Sequence, residues 1–412
     1  MAMKRRVFLV TAAAGLAGAA RAQGEHVPDA IKKLRPMTGG IQPISGVERQ
    51  ARIEKARLLM QENQLGAIVL EGGASMFYFT GTRRTPDDRL FALVLPAQGE
   101  PTWIVPAITA QTLQGADIRA YVSGSDDPYG VLAGALRDWG AGSGRVGIEE
   151  RVRFAVFDSL RHAAPSIEFV SADPVTVGCR AIKSPAELAL MQRANDITIE
   201  AYRAAFETLH EGMTQAELLG NISAAYRALG APGAAMVSFG KYTAFPHGSI
   251  EEQRLKEGDL VLVDDGCAVE GYQSDITRTR IFGKATQRQK DVWSLERQAQ
   301  DAAMAAARPG ATCESVDAAA RKVITGAGFG PGYQVPGLPH RTGHGIGLDG
   351  HEWTYLVKGN KTKLEPGMCF SDEPTIAIYG EFGVRLEDCM YITENGARMF
   401  SKQSPAIDQP FG

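Results

Sequence analysis

Leu260-Val261-Leu262-Val263-Asp264-Asp265-Gly266 is an apolar run that ends in two carboxylates. Four aliphatic residues in succession read as a buried strand. Gly271 marks a turn, and Asp275-Ile276-Thr277 opens a returning strand. A hairpin turning around Val269-Glu270 sets Asp264 directly opposite Asp275. Like charges facing each other across a strand pair are destabilising, and more so near a buried surface. Such a pair requires a positive charge between its members, or a proton on one of them.

Residues 369–378 and 383–392 repeat the pattern, joined around Gly380. Folding there places Glu373 opposite Glu387. Successive side chains on a strand point to opposite faces. Asp265, Asp372 and Asp388 are therefore expected to point away from the acids beside them, while Arg385 shares the face of Glu387. Between the hairpins runs His340-Arg341-Thr342-Gly343-His344-Gly345-Ile346-Gly347, followed by His351-Glu352. Its glycines are read as allowing close backbone approach to something bound. Of the 7 histidines in the chain, three fall in this stretch and His247 precedes the first hairpin.

Four carboxylates (Asp264, Asp275, Glu373, Glu387) and one imidazole form a hard, oxygen-rich donor set. It suits Mn, Fe, Co or Zn better than a metal selected by thiolates. Four negative charges balance two divalent ions. Two such ions about 3.5–4 Å apart, with a water between them, make a nucleophile for hydrolysis.

The rest of the chain supports an enzyme of this kind. With 412 residues and 44% hydrophobic content it can bury a large core, and its length fits two or three domains. A net charge of -3 gives no reason to expect a nucleic-acid partner. Lys4, Arg5 and Arg6 precede a largely apolar run to Ala20, and Ala20-Arg21-Ala22 precedes Gln23. This reads as a removable signal peptide over residues 1–22. Arg5-Arg6-Val7-Phe8-Leu9 resembles a twin-arginine signal, which implies export to the bacterial periplasm. After its removal nothing is long and apolar enough to span a bilayer. Cys179, Cys267, Cys313, Cys369 and Cys389 form no C-x-x-C pair, which argues against a zinc ribbon or redox motif. Those in apolar, strand-like stretches read as small buried hydrophobes.

Residues 23–44, rich in polar residues, Pro and Gly, read as a linker or arm. Residues 45–178 alternate short apolar runs (67–70, 77–79, 90–95, 102–105, and others near Val146 and Ile167) with helical stretches at 48–64 and from Thr109 and Val131. That alternation argues for an α/β layer domain. A second domain, 184–403, opens at Ser184-Pro185-Ala186-Glu187, an N-cap, a first-turn Pro and a capping-box Glu in order. A second capping box runs from Thr214 to Glu217, and further helices are expected at 287–307 and 313–327. The order helices, hairpin, helices, hairpin hints at an internal duplication. Residues 404–412 form a tail.

These segments are identifiable. VLVDDGCAVEGYQSDITRT (261–279), HRTGHGIGLDGHE (340–352), EPGMCFSDEPTIAI (365–378) and GVRLEDCMYIT (383–393) resemble the pita-bread metallopeptidase family, in its Xaa-Pro aminopeptidase and prolidase branch. Methionine aminopeptidase and creatinase are relatives. The resemblance covers roughly residues 45–400, with Tyr78-Phe79-Thr80-Gly81 similar to the creatinase-type N-terminal domain. It implies an α+β fold: a pseudo-twofold β-sheet with flanking helices, preceded by that α/β domain. It also implies five metal ligands, Asp264, Asp275, His344, Glu373 and Glu387. Asp275 and Glu387 would bridge two divalent ions, with Mn the expected metal. Glu373 would act as general base toward the attacking hydroxide. His247 would lie on the substrate side, and His351 would stabilise the tetrahedral intermediate. His340 would line the pocket, and Arg385 would orient Glu387 or the substrate. The implied reaction is cleavage of an Xaa-Pro bond in peptides or dipeptides by a metal-bridging hydroxide. The alternative on this fold is a hydrolase or lyase of a small non-peptide metabolite, of the creatinase, ectoine hydrolase or sulfonium lyase kind. The lyase carries an acid where Gly266 stands, and non-enzymatic relatives lack ligands that are kept here. The resemblance also implies a homodimer, with the polar loop 82–89 reaching a neighbour's site.

Overall fold

The structure, a computed structural model, describes residues 27–113 and 117–412. The expected signal peptide lies outside the described residues. Among the described residues no helix is long and apolar enough to cross a membrane.

Residues 27–44 pack against the rest of the chain rather than link two parts of it. Ile31 and Ile44 are buried, Met37 N donates to Leu229 O at 2.9 Å, and Arg193 donates to Met37 O at 3.0 Å. Next comes a six-stranded mixed sheet. Its order is Asp117–Tyr121, Thr102–Pro106, Ala92–Pro96, Ala67–Leu70, Gly144–Ile148, Ile167–Ser171. Two expectations fail in this region. Residues 77–79 belong to the helix Gly73–Thr80, not to a strand-like run, because a short apolar run has no period that separates the two. The helix expected from Thr109 is a single turn, Ala107–Ala110.

The second part is built twice over. Helices Pro185–Phe206 and Gln215–Leu229 precede the first hairpin, and Gln287–Ala306 and Cys313–Gly326 precede the second. The first three of these helices open on capping boxes: Ser184 with Glu187, Thr214 with Glu217, and Thr286 with Gln289. Glu187 does more than cap, since its Oε1 accepts from Tyr272 at 2.7 Å at the end of the first hairpin. The two hairpins lie side by side. Glu387 N donates to Thr277 O at 3.2 Å, and Thr279 Oγ1 donates to Arg385 O at 2.7 Å. The tail is packed, with Phe411 against Phe206 at 5.6 Å between ring centroids. All five cysteines are buried and unpaired. The α+β class and the duplicated order match the sequence reading.

The registers differ in how well they were anticipated. In the second hairpin Asp372 pairs with Asp388 and Thr375 with Arg385. The unchanged offset on both sides places Glu373 opposite Glu387, as expected. In the first hairpin Val269 pairs with Tyr272 and Val263 with Arg278. The turn is Glu270-Gly271, with φ of 48° and 88°, the positive pair that a two-residue type I′ loop requires. One step beyond Arg278, Thr277 stands opposite Asp264. The sequence register was therefore two residues out, because the turn lies one residue further along. A shift of two preserves strand parity, so Asp264 and Asp275 still share a face.

Candidate metal centre

Both hairpins turn their acids into one cavity of about 540 Å³. Its wall holds every residue expected at the site: Asp264, Asp275, His344, Glu373, Glu387, His247, His340, His351 and Arg385. Donor atoms of Asp264, Asp275 and Glu387 lie within 4.8 Å of one another, and so do those of His344, Glu373 and Glu387. A third group, Asp275, His344 and His351, meets the same limit. Glu387, Asp275 and His344 each belong to two groups, the first two being the positions expected to be shared.

His344 is presented on the short strand Gly343–Gly345. Its Nδ1 lies 3.1 Å from Gly345 O, so this nitrogen carries the ring proton. Nε2 then turns its lone pair toward Glu373 Oε1 at 3.2 Å and Asp275 Oδ2 at 3.6 Å. Burial, then the neighbouring His351, holds the imidazolium form well below its ordinary range. Among the described residues no Lys or Arg pairs with Asp275, Glu373 or Glu387; the only such partner at the centre is Arg385, on Asp264. Burial, then repulsion from neighbouring acids, pushes Asp275 and Glu387 well above the carboxylate range. Burial, with repulsion from Asp264, pushes Glu373 up to about 7. A lone pair facing carboxylates, in a site with excess negative charge, fits divalent cations.

Three details correct or sharpen the expectation. Asp265 was to point away by parity, yet it lines the cavity. The strand ends at Asp264 and Asp265 has φ of 98°, so alternation does not extend to it. Arg385 was to orient Glu387 or the substrate; it pairs with Asp264 and donates to Thr277 Oγ1 at 3.0 Å and Pro246 O at 3.1 Å, and so meets Glu387 through Thr277. The glycines around His344 make room for protein rather than for a bound group: a Cβ on Gly343 would lie 2.1 Å from Ser371 O.

Asp372 and Asp388 do point away, into the interior behind the site, where Asp388 pairs with Arg278 at 2.7 Å. His340 is held between Arg341 O at 2.6 Å and Thr375 Oγ1 at 3.0 Å. Burial, then Arg385, pushes its imidazole down to about 3, so it is neutral. His247 is exposed on the cavity wall. The His351 ring lies against that of His344, with centroids 3.8 Å apart and the planes tilted by 39°.

The sequence reading overlooked four residues. The Thr277 hydroxyl lies 2.7 Å from Asp264 Oδ1 and 2.6 Å from Glu387 Oε2. It has one proton, so it donates to one carboxylate at a time. Ser371 Oγ accepts from His344 N at 2.9 Å and donates to Glu373 Oε1 at 3.2 Å. Cys389 Sγ contacts the backbone of Asp275 at 3.2 Å and 3.1 Å. Each stands two residues from a metal-facing acid, so face-sharing along the strand was a usable signal. Arg341, which donates to His351 Nδ1 at 2.9 Å and lies over Tyr355, carried no such signal.

Residues 189–394 match the model of metallopeptidase family M24. The chain belongs to metallopeptidase family M24. Residues 52–182 of this M24 chain match the Creatinase/Prolidase N-terminal domain. It is 31% identical over 367 residues to an Xaa-Pro dipeptidase from Lactobacillus delbrueckii subsp. lactis, covering 86% of this chain and 98% of that one. Among solved structures it resembles dipeptidase PepE from Mycobacterium ulcerans, with a TM-score of 0.81 and 34% identity, over 88% of this chain and 97% of that one. A recombinant prolidase from Thermococcus sibiricus gives a TM-score of 0.81 at 28% identity, over 87% of this chain and 98% of that one. The likeness to these solved structures spans both parts of the molecule, in agreement with the pita-bread domain and the creatinase-type N-terminal domain expected from the motifs.

Proposed function

We propose that this M24 chain hydrolyses the Xaa-Pro bond of peptides or dipeptides, with two divalent ions held by Asp264, Asp275, His344, Glu373 and Glu387. The observation that carries this reading is the pair of overlapping donor groups that share Glu387, in a cavity whose acids outnumber their cationic partners. The named relatives, an Xaa-Pro dipeptidase and a prolidase, support the substrate class. Two bound ions would supply an activated water and polarise the scissile carbonyl. Mn is the proposed metal, with Co, Fe and Zn as the alternatives to test.

The protein's own groups then divide the work. Glu373, buried and held by Ser371, takes the proton of the attacking water as general base. His351 has its Nδ1 occupied by Arg341, so its Nε2–H is the donor toward the oxygen that gains charge in the tetrahedral intermediate. His247, exposed on the cavity wall, contacts the substrate, and His340, neutral and fixed, lines the pocket. Arg385 holds Asp264 and Thr277 in place. Export behind a twin-arginine-like signal and assembly as a homodimer belong to the same reading.

The test is a panel of Xaa-Pro dipeptides and longer Xaa-Pro-Yaa peptides, with Mn added to metal-stripped protein. Turnover of dipeptides alone defines a dipeptidase, and turnover of the longer peptides an aminopeptidase. No turnover of any peptide would sink the reading in favour of a small non-peptide substrate.

A further inference from the structure

His351 sits in a bend, residues 347–351, with no regular structure of its own. A ring on such a segment keeps its place only if something else holds the backbone. The next residue, Glu352, begins the strand Glu352–Leu356 and pairs with Gly345, beside His344. Its side chain points away from the cavity and is buried. There its Oε1 accepts the amide N–H groups of Leu348 at 2.8 Å and Asp349 at 3.1 Å. The same oxygen accepts from Arg180, and Oε2 accepts from Lys183 at 3.1 Å. Arg180 also binds Asp349 at 2.8 Å. Gly347 lets this carboxylate come close, since a Cβ there would lie 2.8 Å from Glu352 Oε2 and 2.9 Å from Lys183 Cε.

Both cations come from outside the catalytic hairpins. Arg180 ends the helix Asp173–Arg180, and Lys183 lies just before Ser184. Arg180 reaches further, donating to Ser75 Oγ at 3.0 Å, which donates to Glu149 Oε1 at 2.9 Å just past the strand Gly144–Ile148. The bend that carries His351 is thereby tied to the N-terminal sheet. Burial by itself would raise the Glu352 carboxyl, yet Lys183 and Arg180 overcome it and hold the group down at about 2. The carboxylate is therefore ionised and able to accept from all four donors.

We propose that Glu352, clamped by Arg180 and Lys183, is the positioning residue that holds the 347–351 bend and sets His351 over His344. This rests on the proposed role of His351 as a donor to the reacting carbonyl. Misplacing such a donor slows the chemical step more than it weakens substrate binding.

The test uses the full chain loaded with Mn, in the variants Glu352→Ala and Lys183→Met. Metal content should equal that of the parent protein. In both variants kcat on an Xaa-Pro peptide should fall about tenfold or more, with KM changed by less than about threefold. In a His351→Ala background neither change should lower kcat further. Hydrogen exchange at the Leu348 and Asp349 amides should accelerate in Glu352→Ala. Full additivity with His351→Ala would overturn the proposal, as would unchanged exchange at those two amides. The exchange readout needs no turnover, so it decides the clamp even if no peptide is cleaved. Should Glu352→Ala not fold, Lys183→Met leaves the carboxylate in place and is read by kcat, KM and the His351→Ala background, where an unchanged kcat in the single variant would overturn the proposal.

Discussion

Arg385 is bound to Asp264, and its hydrogen bond to the hydroxyl of Thr277 links it to Glu387. One planar guanidinium meets three acceptors, Asp264, Thr277 and Pro246 O. An ammonium on a flexible stem cannot reproduce that fork. Arg385→Lys is therefore expected to lower kcat/KM on an Xaa-Pro peptide by about 10–100-fold, the range for residues that orient metal ligands. Parent-like kinetics for the lysine variant would remove the orienting role.

Glu387 joins two donor groups, one with His344 and Glu373 and one with Asp264 and Asp275. Glu387→Ala should leave the purified protein without its metals, and Asp264→Ala should do the same by breaking the group it shares with Asp275. Elemental analysis after dialysis checks this. Two ions retained per chain in either variant would show the ligand set to be wrong.

Behind the site, Glu296 is fully buried, with the Leu386 backbone beside its carboxyl and no side-chain hydrogen bond to it among the described residues. Burial pushes its carboxyl well above the ordinary range. An acid whose folded pKa is raised binds more protons folded than unfolded, so it costs stability as pH rises above its unfolded value of about 4.3. Glu296→Gln cannot ionise. Its stability relative to the parent should therefore improve between pH 5 and pH 8, by about 1 kcal/mol or more. Urea midpoints at the two pH values, with metal present, provide the comparison. A difference between variants that does not change with pH would contradict it.

Export can be examined without any structure. The secreted chain is expected to begin at Gln23, and replacing both Arg5 and Arg6 by Lys should block its appearance in the periplasm. N-terminal sequencing of the exported protein reads the outcome. A mature chain that retains residues 1–22 would refute the signal.

The acids of this centre were legible because hairpin parity is a local property. An apolar run, a turn glycine and a returning strand placed Asp264 with Asp275 and Glu373 with Glu387, and a register error of two could not change their face. Helix starts were equally local, since the capping boxes at Ser184 and Thr214 need only four consecutive residues. Asp265 escaped the same logic because one residue at positive φ ends the alternation. Pairings between distant segments were beyond any local pattern. That Arg385 chooses Asp264, that Thr277 lies between two acids, and that Arg180 and Lys183 close on Glu352 depend on how the two hairpins and the N-terminal sheet pack. The sequence therefore placed the four acids and His344 at the cavity, but not Asp265 or Arg341. Only the tertiary structure decided which partners hold them there, because the energy of a buried ion pair or hydrogen bond depends on distances set by the whole fold.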